Sequence, residues 1–246
     1  MPDEPATTPA KRRSLPKRLA LIAFIAGLTY LAVVYLIVPL VWKHYFRHHP
    51  SLDDLPGITQ TGDGHPGDPL NVALIGTKAE LMKIMVAAKW YPADDLSFKS
   101  CLEIAAATVL KHPYDAAPVS NLYLFGRKED LAFEQPVGDN PRHRHHVRFW
   151  KTDKLDDDGR PVWIGSAVYD QHVGFSKTTG QVTHVTAANV DAERDYLFKD
   201  LEKTGDLAET YIVKGFHKTL SGTNGGGDPW HTDGDLYVGV IKTANP

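Results

Sequence analysis

One cysteine, Cys101, is all that 246 residues contain, so the chain can form no intramolecular disulfide and its redox compartment stays open. Cys101 lies in an apolar, helix-like run without a reactive signature around it, and reads as a small buried hydrophobe. Serine-hydrolase chemistry lacks its sign, since no Gly-x-Ser-x-Gly elbow occurs. A phosphate-cradling loop is missing too. Gly76-Thr77 joins an apolar run to a helical pattern, but the further glycines and the Lys-Ser/Thr pair of a P-loop are absent. No internal repeat is present. Positive charge is scarce where nucleic acid would need it. The net charge is −3, and it is unevenly spread. Residues 1–49 hold seven Lys/Arg and two Asp/Glu, while the rest hold 20 basic and 28 acidic side chains. An acidic domain does not offer the basic footprint that a phosphate backbone requires, so nucleic acid is excluded as a partner.

What the chain does have begins near its start. Residues 1–18 are Pro-, Thr- and Lys/Arg-rich without apolar periodicity and read as a disordered tail. Leu19–Trp42 is an uncharged, largely apolar stretch; as a helix it spans about 36 Å, enough to cross a bilayer with some tilt. Trp42 suits an interface, and Pro39 falls near the end, where it costs the helix least. A cleaved signal peptide would have a shorter core and a small-residue cleavage site; this run ends in Val-Trp-Lys-His-Tyr-Phe. Lys11, Arg12, Arg13, Lys17 and Arg18 precede it, and Lys43 and Arg47 follow. That excess predicts a cytoplasmic N-terminus and a folded domain outside. Residues 43–67 read as a linker, Ser51–Pro69 being rich in Gly, Pro and Asp. The domain takes residues 68–246.

Within it, Val72–Ile75 reads as a buried strand and Thr77 with Glu80 as a capping box opening a helix through Trp90. A second helix is expected over roughly Ser97–Leu110. Strands follow at Asn121–Arg127 and Asp130–Glu134. The centre is Pro141–Asp170, two strands joined by a turn containing Asp158-Gly159. Alternation puts His145, Val147 and Phe149 on one face and His146, Arg148 and Trp150 on the other. Gln181–Ala187 is another strand, Val190–Lys203 a helix capped by Asn189 and ended by Gly205, and Thr210–Phe216 and Leu236–Lys242 the last strands. Strands in runs rather than strict βα alternation predict an α+β domain, mainly antiparallel, with helices packed on one face.

No motif specifies a reaction, but three polar groupings stand out. His143 and His145, two apart on a strand, share a face; with His184 on a neighbouring strand and Asp170 at the end of the hairpin they offer ligands for a divalent metal. The alternative is histidines that hydrogen-bond at a sheet end and bind nothing. Asp191, Arg194 and Asp195 share one side of a helix and would supply carboxylates for acid–base work and an Arg for an anion; the alternative is a charged first turn complementing the helix dipole. Arg148 and Trp150 could clamp a ligand, or pack as a cross-strand pair. Asp233 follows the glycine-rich loop Ser221–Gly227 and joins them as a binding candidate, the loop itself being able to bring amides to an anion or merely to flex.

A resemblance adds to this. Leu122–Arg127, Asp130–Phe133, Arg144–Trp150, Gly159–Gly165, Asp191–Asp195 and Thr232–Gly234, in that order, resemble the LssY C-terminal domain family over roughly residues 68–242. The resemblance implies a module attached to bacterial membrane proteins, some with phosphatidic-acid-phosphatase-like or DedA-like parts, and brings no established reaction. At His184-Val185 the chain departs from the expected pair of adjacent histidines. Together the readings predict a single-pass inner-membrane protein whose domain is a binding or accessory module near lipid or an envelope protein. The alternative is a metal-dependent hydrolase acting on a phospho- or lipid-like substrate.

Overall fold

The computed structural model describes residues 15–46, 49–93, 121–138, 143–178, 180 and 182–243. The helix expected over Ser97–Leu110, with Cys101, lies outside them, as do residues 1–14 of the tail. The chain divides into two compact units, Met1–Arg47 and His48–Pro246.

The first unit is helical, with α1 (Leu15–Ala32), a π-helical turn (Val33–Ile37) and α2 (Val38–Phe46). Pro39 explains the turn. It has no N–H and its ring crowds the carbonyl of Tyr35, so the helix loosens just before it, with Val38 N–H reaching back to Val33 O. Leu15–Lys43 contains an 18-residue window of mean hydropathy 2.5 and is long and apolar enough to cross a membrane.

The second unit is built on one large sheet. Its elements are β1 (Ile58–Thr61), β2 (Pro66–Pro69), β3 (Val72–Ile75), α3 (Lys78–Ala87), β4 (Tyr91–Pro92), β5 (Leu122–Leu124), β6 (Arg127–Lys128), β7 (Leu131–Pro136), β8 (Arg144–Leu155), β9 (Pro161–Phe175), β10 (Val182–Thr186), α4 (Val190–Thr204), β11 (Leu207–Val213), β12 (Ser221–Thr223), β13 (Pro229–His231) and β14 (Leu236–Ile241). The large sheet runs β11-β14-β3-β9-β8-β7-β4, with β10 on the far end of β9. The β14–β3 pair is parallel and the other described pairs are antiparallel, which makes the domain α+β. A smaller sheet, β2-β1-β5-β6, and the hairpin β12–β13 complete it.

Local chemistry sets the elements. Thr77 Oγ1 accepts from Glu80 N–H and Glu80 accepts from Thr77 N–H, the capping box that opens α3. Asn189 accepts from Asp191 and Ala192 at the start of α4, and Gly205 (φ 71°) ends it in the left-handed region. The β8–β9 hairpin turns at Asp156, whose carboxylate accepts from the N–H groups of Asp158 and Arg160 and pairs with the Arg160 guanidinium. Gly165 stands opposite Phe149, and a Cβ there would lie 2.7 Å from the Phe149 ring and the Arg148 carbonyl.

The large sheet is covered on both faces. Leu81, Met85, Leu197 and Leu201 from α3 and α4 pack on Leu74, Phe133, Val147 and Phe149. On the other face Leu52 joins Ile75, Val162 and Val238, and Leu70, Leu122 and Leu124 cover Trp150 and Ile164. Leu52 in that second cover comes from residues expected to be a linker. Residues 52–69 instead carry a buried Leu52 and two strands, β1 pairing with β5.

Candidate functional site

Along β8 the alternation sends Arg144, His146 and Arg148 to the face away from the helices, while His145, Val147 and Phe149 meet α3 and α4. Asp170 on β9 stands opposite Arg144. His184 comes from β10, Asp68 from β2, and Asn224 from the β12–β13 loop. With His146, Arg148 and Asp170 these three line an open cavity of about 340 Å³, while Arg144 holds Asp170 from outside its wall.

Asp170 is its centre. It accepts from Arg144 Nε at 2.9 Å, and the same guanidinium reaches Glu134 Oε2 at 2.9 Å through Nη1. Arg144 Nη2 lies 3.4 Å from His184 Nε2. An arginine can only donate, so His184 Nε2 accepts and the neutral ring carries its proton on Nδ1. That nitrogen is 3.4 Å from Asp170 Oδ2, and His146 Nδ1 is 3.9 Å from the same oxygen. Beyond it, Arg148 lies 3.7 Å from Asp68 and 3.9 Å from Glu129. Asn224 organises the glycine-rich loop. Its Oδ1 accepts from Gly226 N–H and Asp228 N–H, and its Nδ2 donates to Asp68 and Thr186.

Burial dominates the electrostatics. It pushes the Asp68 carboxyl up, against the pull of Arg148 and Asn224. It raises Glu134 likewise, against Arg144. His146, 3% exposed, is held well below the usual histidine value by burial and then by the charges of Arg148 and Arg144. His184 is lowered by burial, which outweighs the nearby Asp170 carboxylate. Both rings are therefore neutral near pH 7. Neither nitrogen of His146 has a hydrogen-bond partner among the protein atoms, nor has His184 Nδ1.

The sequence candidates separate. His145 and His184 lie on opposite faces of the sheet. His145 bonds Glu193 of α4 at 2.8 Å and stacks on Tyr196 at 4.0 Å, while His184 faces the cavity. His143 sits where the β7–β8 connection closes, its carbonyl accepting from Val137 N–H. Among the described residues no three His, Cys, Asp or Glu side chains are gathered as a metal ion would need. Trp150 does face the same side as Arg148, but it is fully buried under the small sheet, its Nε1 donating to Arg127 O, so it has no surface to offer a ligand.

Asp191, Arg194, Asp195 and Asp233 do come together. Arg194 donates to Asp233 at 2.8 and 2.9 Å, to Asp195 at 2.9 Å and to Asp191 at 3.2 Å, and its guanidinium lies 3.9 Å from the Tyr237 ring. It is 1% exposed. Burial works against its charge, but the bonds to Asp233 and Asp195 outweigh it and raise its pKa. Asp191 also accepts from Thr232 Oγ1 and Asp233 N–H. The group ties α4 to the approach to β14, with Arg194 buried, Asp195 and Asp233 about half exposed, and Asp191 in the first turn of the helix.

Reading the sequence alone overlooked Asp68, Arg144, His146 and Asn224. The alternation on β8 carried the signal for Arg144 and His146, whereas Asp68 lay in the Gly-, Pro- and Asp-rich stretch at the edge of the domain and Asn224 in a loop read either as bringing amides to an anion or as flexing. The fold and cavity define a class: a sheet-centred α+β domain with a polar, ion-paired cavity on the face its helices leave free. A family model described as LssY C-terminus matches residues 52–236, and the chain belongs to that family. The match begins at Leu52, where the folded unit acquires its first buried side chain. No curated protein and no solved structure matches the chain.

Proposed function

We propose that this chain is a single-pass inner-membrane protein with a cytoplasmic N-terminus, whose domain is a binding module at the cell envelope and takes its ligand in the cavity around Asp170. One observation carries the reading. His146 is buried in a cavity wall with both ring nitrogens unpartnered by the protein. An unmet buried polar group costs about 1–3 kcal/mol, and a binding site is where such a cost is met by an incoming ligand. Anchoring is supported by the apolar helix, whose spanning window has none of its residues buried by the protein, and by the basic residues before it. The bilayer is then one partner and a small polar ligand the other. A metal-dependent hydrolase, the second reading, has no comparable observation behind it, because the histidines chosen for the metal point to different faces.

Thermal shift of the full-length protein against sugars, amino acids, phosphates and polyamines tests this. A ligand at about a hundred times its Kd adds about 2.7 kcal/mol of stability. At least one class should raise Tm by several degrees in the wild type and not in Thr183→Trp, whose side chain fills the cavity from β10. A panel that moves neither protein overturns the proposal.

A further inference from the structure

One guanidinium, that of Arg148, lines the cavity and a second, that of Arg144, is bonded to its Asp170, and an anion such as phosphate is the first ligand they suggest. The neighbouring charges argue otherwise. Arg144 is held between Glu134 and Asp170, each at 2.9 Å. Arg148 lies between Asp68 at 3.7 Å and Glu129 at 3.9 Å. Four carboxyl groups thus surround two arginines, and the histidines add no charge at neutral pH. Asp68 and Asp170 both line the cavity itself, so a dianion entering it would meet carboxylates as well as guanidiniums. No surplus positive charge is left to desolvate a phosphate.

What the walls offer instead is mixed hydrogen bonding in fixed directions. A neutral imidazole presents one donor and one acceptor, and His146 has both uncommitted to the protein. The carboxylates accept and Arg148 donates, and the acceptors are braced from behind: Asn224 Nδ2 donates to Asp68 at 3.1 Å and Arg144 Nε to Asp170 at 2.9 Å. Thr183 and Ser176 add hydroxyls to the wall and Tyr123 a ring. A ligand hydroxyl, itself one donor and two lone pairs, is matched by such alternating pairs where a charged group is not. Size narrows the class further. A volume of about 340 Å³ lies at the lower end of small-molecule sites. Gly225 keeps two lining segments close, since a Cβ there would sit 2.2 Å from Thr61 Cγ2.

We infer that the cavity binds a neutral polyhydroxylated ligand, a sugar residue, held by hydrogen bonds with His146, with Asp68 as Asn224 positions it, and with Asp170 as Arg144 positions it. This rests on the cavity being the binding site, and adds the chemistry of what it takes.

The test is calorimetry on the full-length protein in a polyoxyethylene detergent, because a glucoside or maltoside detergent would itself present the ligand chemistry. Free probes are methyl hexosides and methyl N-acetylhexosaminides; a monoglycosyl diacylglycerol in mixed micelles is the lipid-borne source. Inorganic phosphate and glycerol 3-phosphate are the anionic comparators. At least one neutral sugar should bind saturably, with affinity little changed between low and high salt, since exposed charge pairing would be screened. Binding should weaken at least tenfold in Asp68→Asn and in Thr183→Trp. Binding of the glycolipid alone also supports the inference and identifies the source as lipid. If phosphate or glycerol 3-phosphate binds and no sugar does, the sugar assignment falls while the binding module stands. Sugar binding that survives Thr183→Trp overturns the assignment to this cavity. Should Asp68→Asn fail to fold, Thr183→Trp and the salt series on the wild type decide.

Discussion

His146 is the residue whose environment has the clearest solution consequence. Burial and two guanidiniums lower its pKa in the folded state, while the unfolded chain keeps the ordinary value of about 6.5. Below that pH the unfolded state takes up a proton that the folded state refuses, so this contribution to stability is present above about 6.5 and is lost as pH falls toward the depressed folded value. His184 and His217, also lowered, act in the same sense. Asp68, Glu134 and Glu193 have raised values and oppose it, adding stability at low pH that is lost as pH rises through their folded values. Between pH 6.5 and 5.5 the unfolded carboxylates are largely ionised, so any of the three that is still protonated in the folded state opposes the histidines there, and the His146 share, a slope of up to about 1.4 kcal/mol per pH unit, is read as a difference. Urea melts over that range should show that wild type loses more stability, or gains less, with falling pH than His146→Gln; equal slopes would assign the dependence elsewhere. Arg194 makes the second prediction at this scale. Its removal leaves Asp195 and Asp233 about half exposed, so the cost is chiefly the lost hydrogen bonds to charged groups, and Arg194→Ala should lower the urea midpoint by the equivalent of about 1.5–3 kcal/mol. A loss below about 1 kcal/mol, the range of surface pairs, would mean that Arg194 is exposed in solution.

At the scale of elements, the β8–β9 hairpin bears most of the architecture and was the most legible part of the chain. The period-2 pattern gave the faces of His145, His146, Arg148 and Trp150 correctly, and Thr77 and Asn189 announced their helices by cap chemistry. What the pattern could not tell was what covers each face. Along the same side of β8 the surroundings change from the open polar cavity at His146 and Arg148 to the apolar underside of the small sheet at Trp150, and only the tertiary arrangement of β1, β2 and β5 decides where. Those strands were illegible for a physical reason. β2 reads Pro-Gly-Asp-Pro, a loop by every propensity, and is tolerable as a strand because it lies at the edge of its sheet, where a missing N–H is harmless. Asp68 was hidden with it. Gly165 offers the test at this scale. Its φ is ordinary, so substitution strains nothing in the backbone, but a Cβ would press on Phe149 and the Arg148 carbonyl. Gly165→Ala should cost about 1–3 kcal/mol through overpacking, measured by chemical denaturation, with recovery when Phe149→Leu is added. Failure of the pair to couple would show that the ring is not what excludes the methyl.

For the whole molecule the predictions concern extent and direction. A fragment of residues 49–246 should be soluble and melt cooperatively, whereas residues 70–246, lacking Leu52, β1 and β2, should expose the apolar face over Trp150 and Ile164 and aggregate or melt broadly. Equal behaviour of the two would return residues 49–69 to the role of linker. C-terminal fusions should give active alkaline phosphatase and dark cytoplasmic fluorescent protein; the reverse would place the cavity in the cytoplasm. The parallel pair of β3 and β14 has a further consequence. Val72 aligns with Tyr237 near the middle of the large sheet, so the centre is assembled from strands at opposite ends of the folded unit. Until β14 has emerged, β11 has no neighbour and β3 has one edge bare. Closing so long a loop is slow, so the strands made first wait with an open edge until Val72 and Tyr237 are brought side by side, and that wait is when the domain is most open to pairing with the wrong edge.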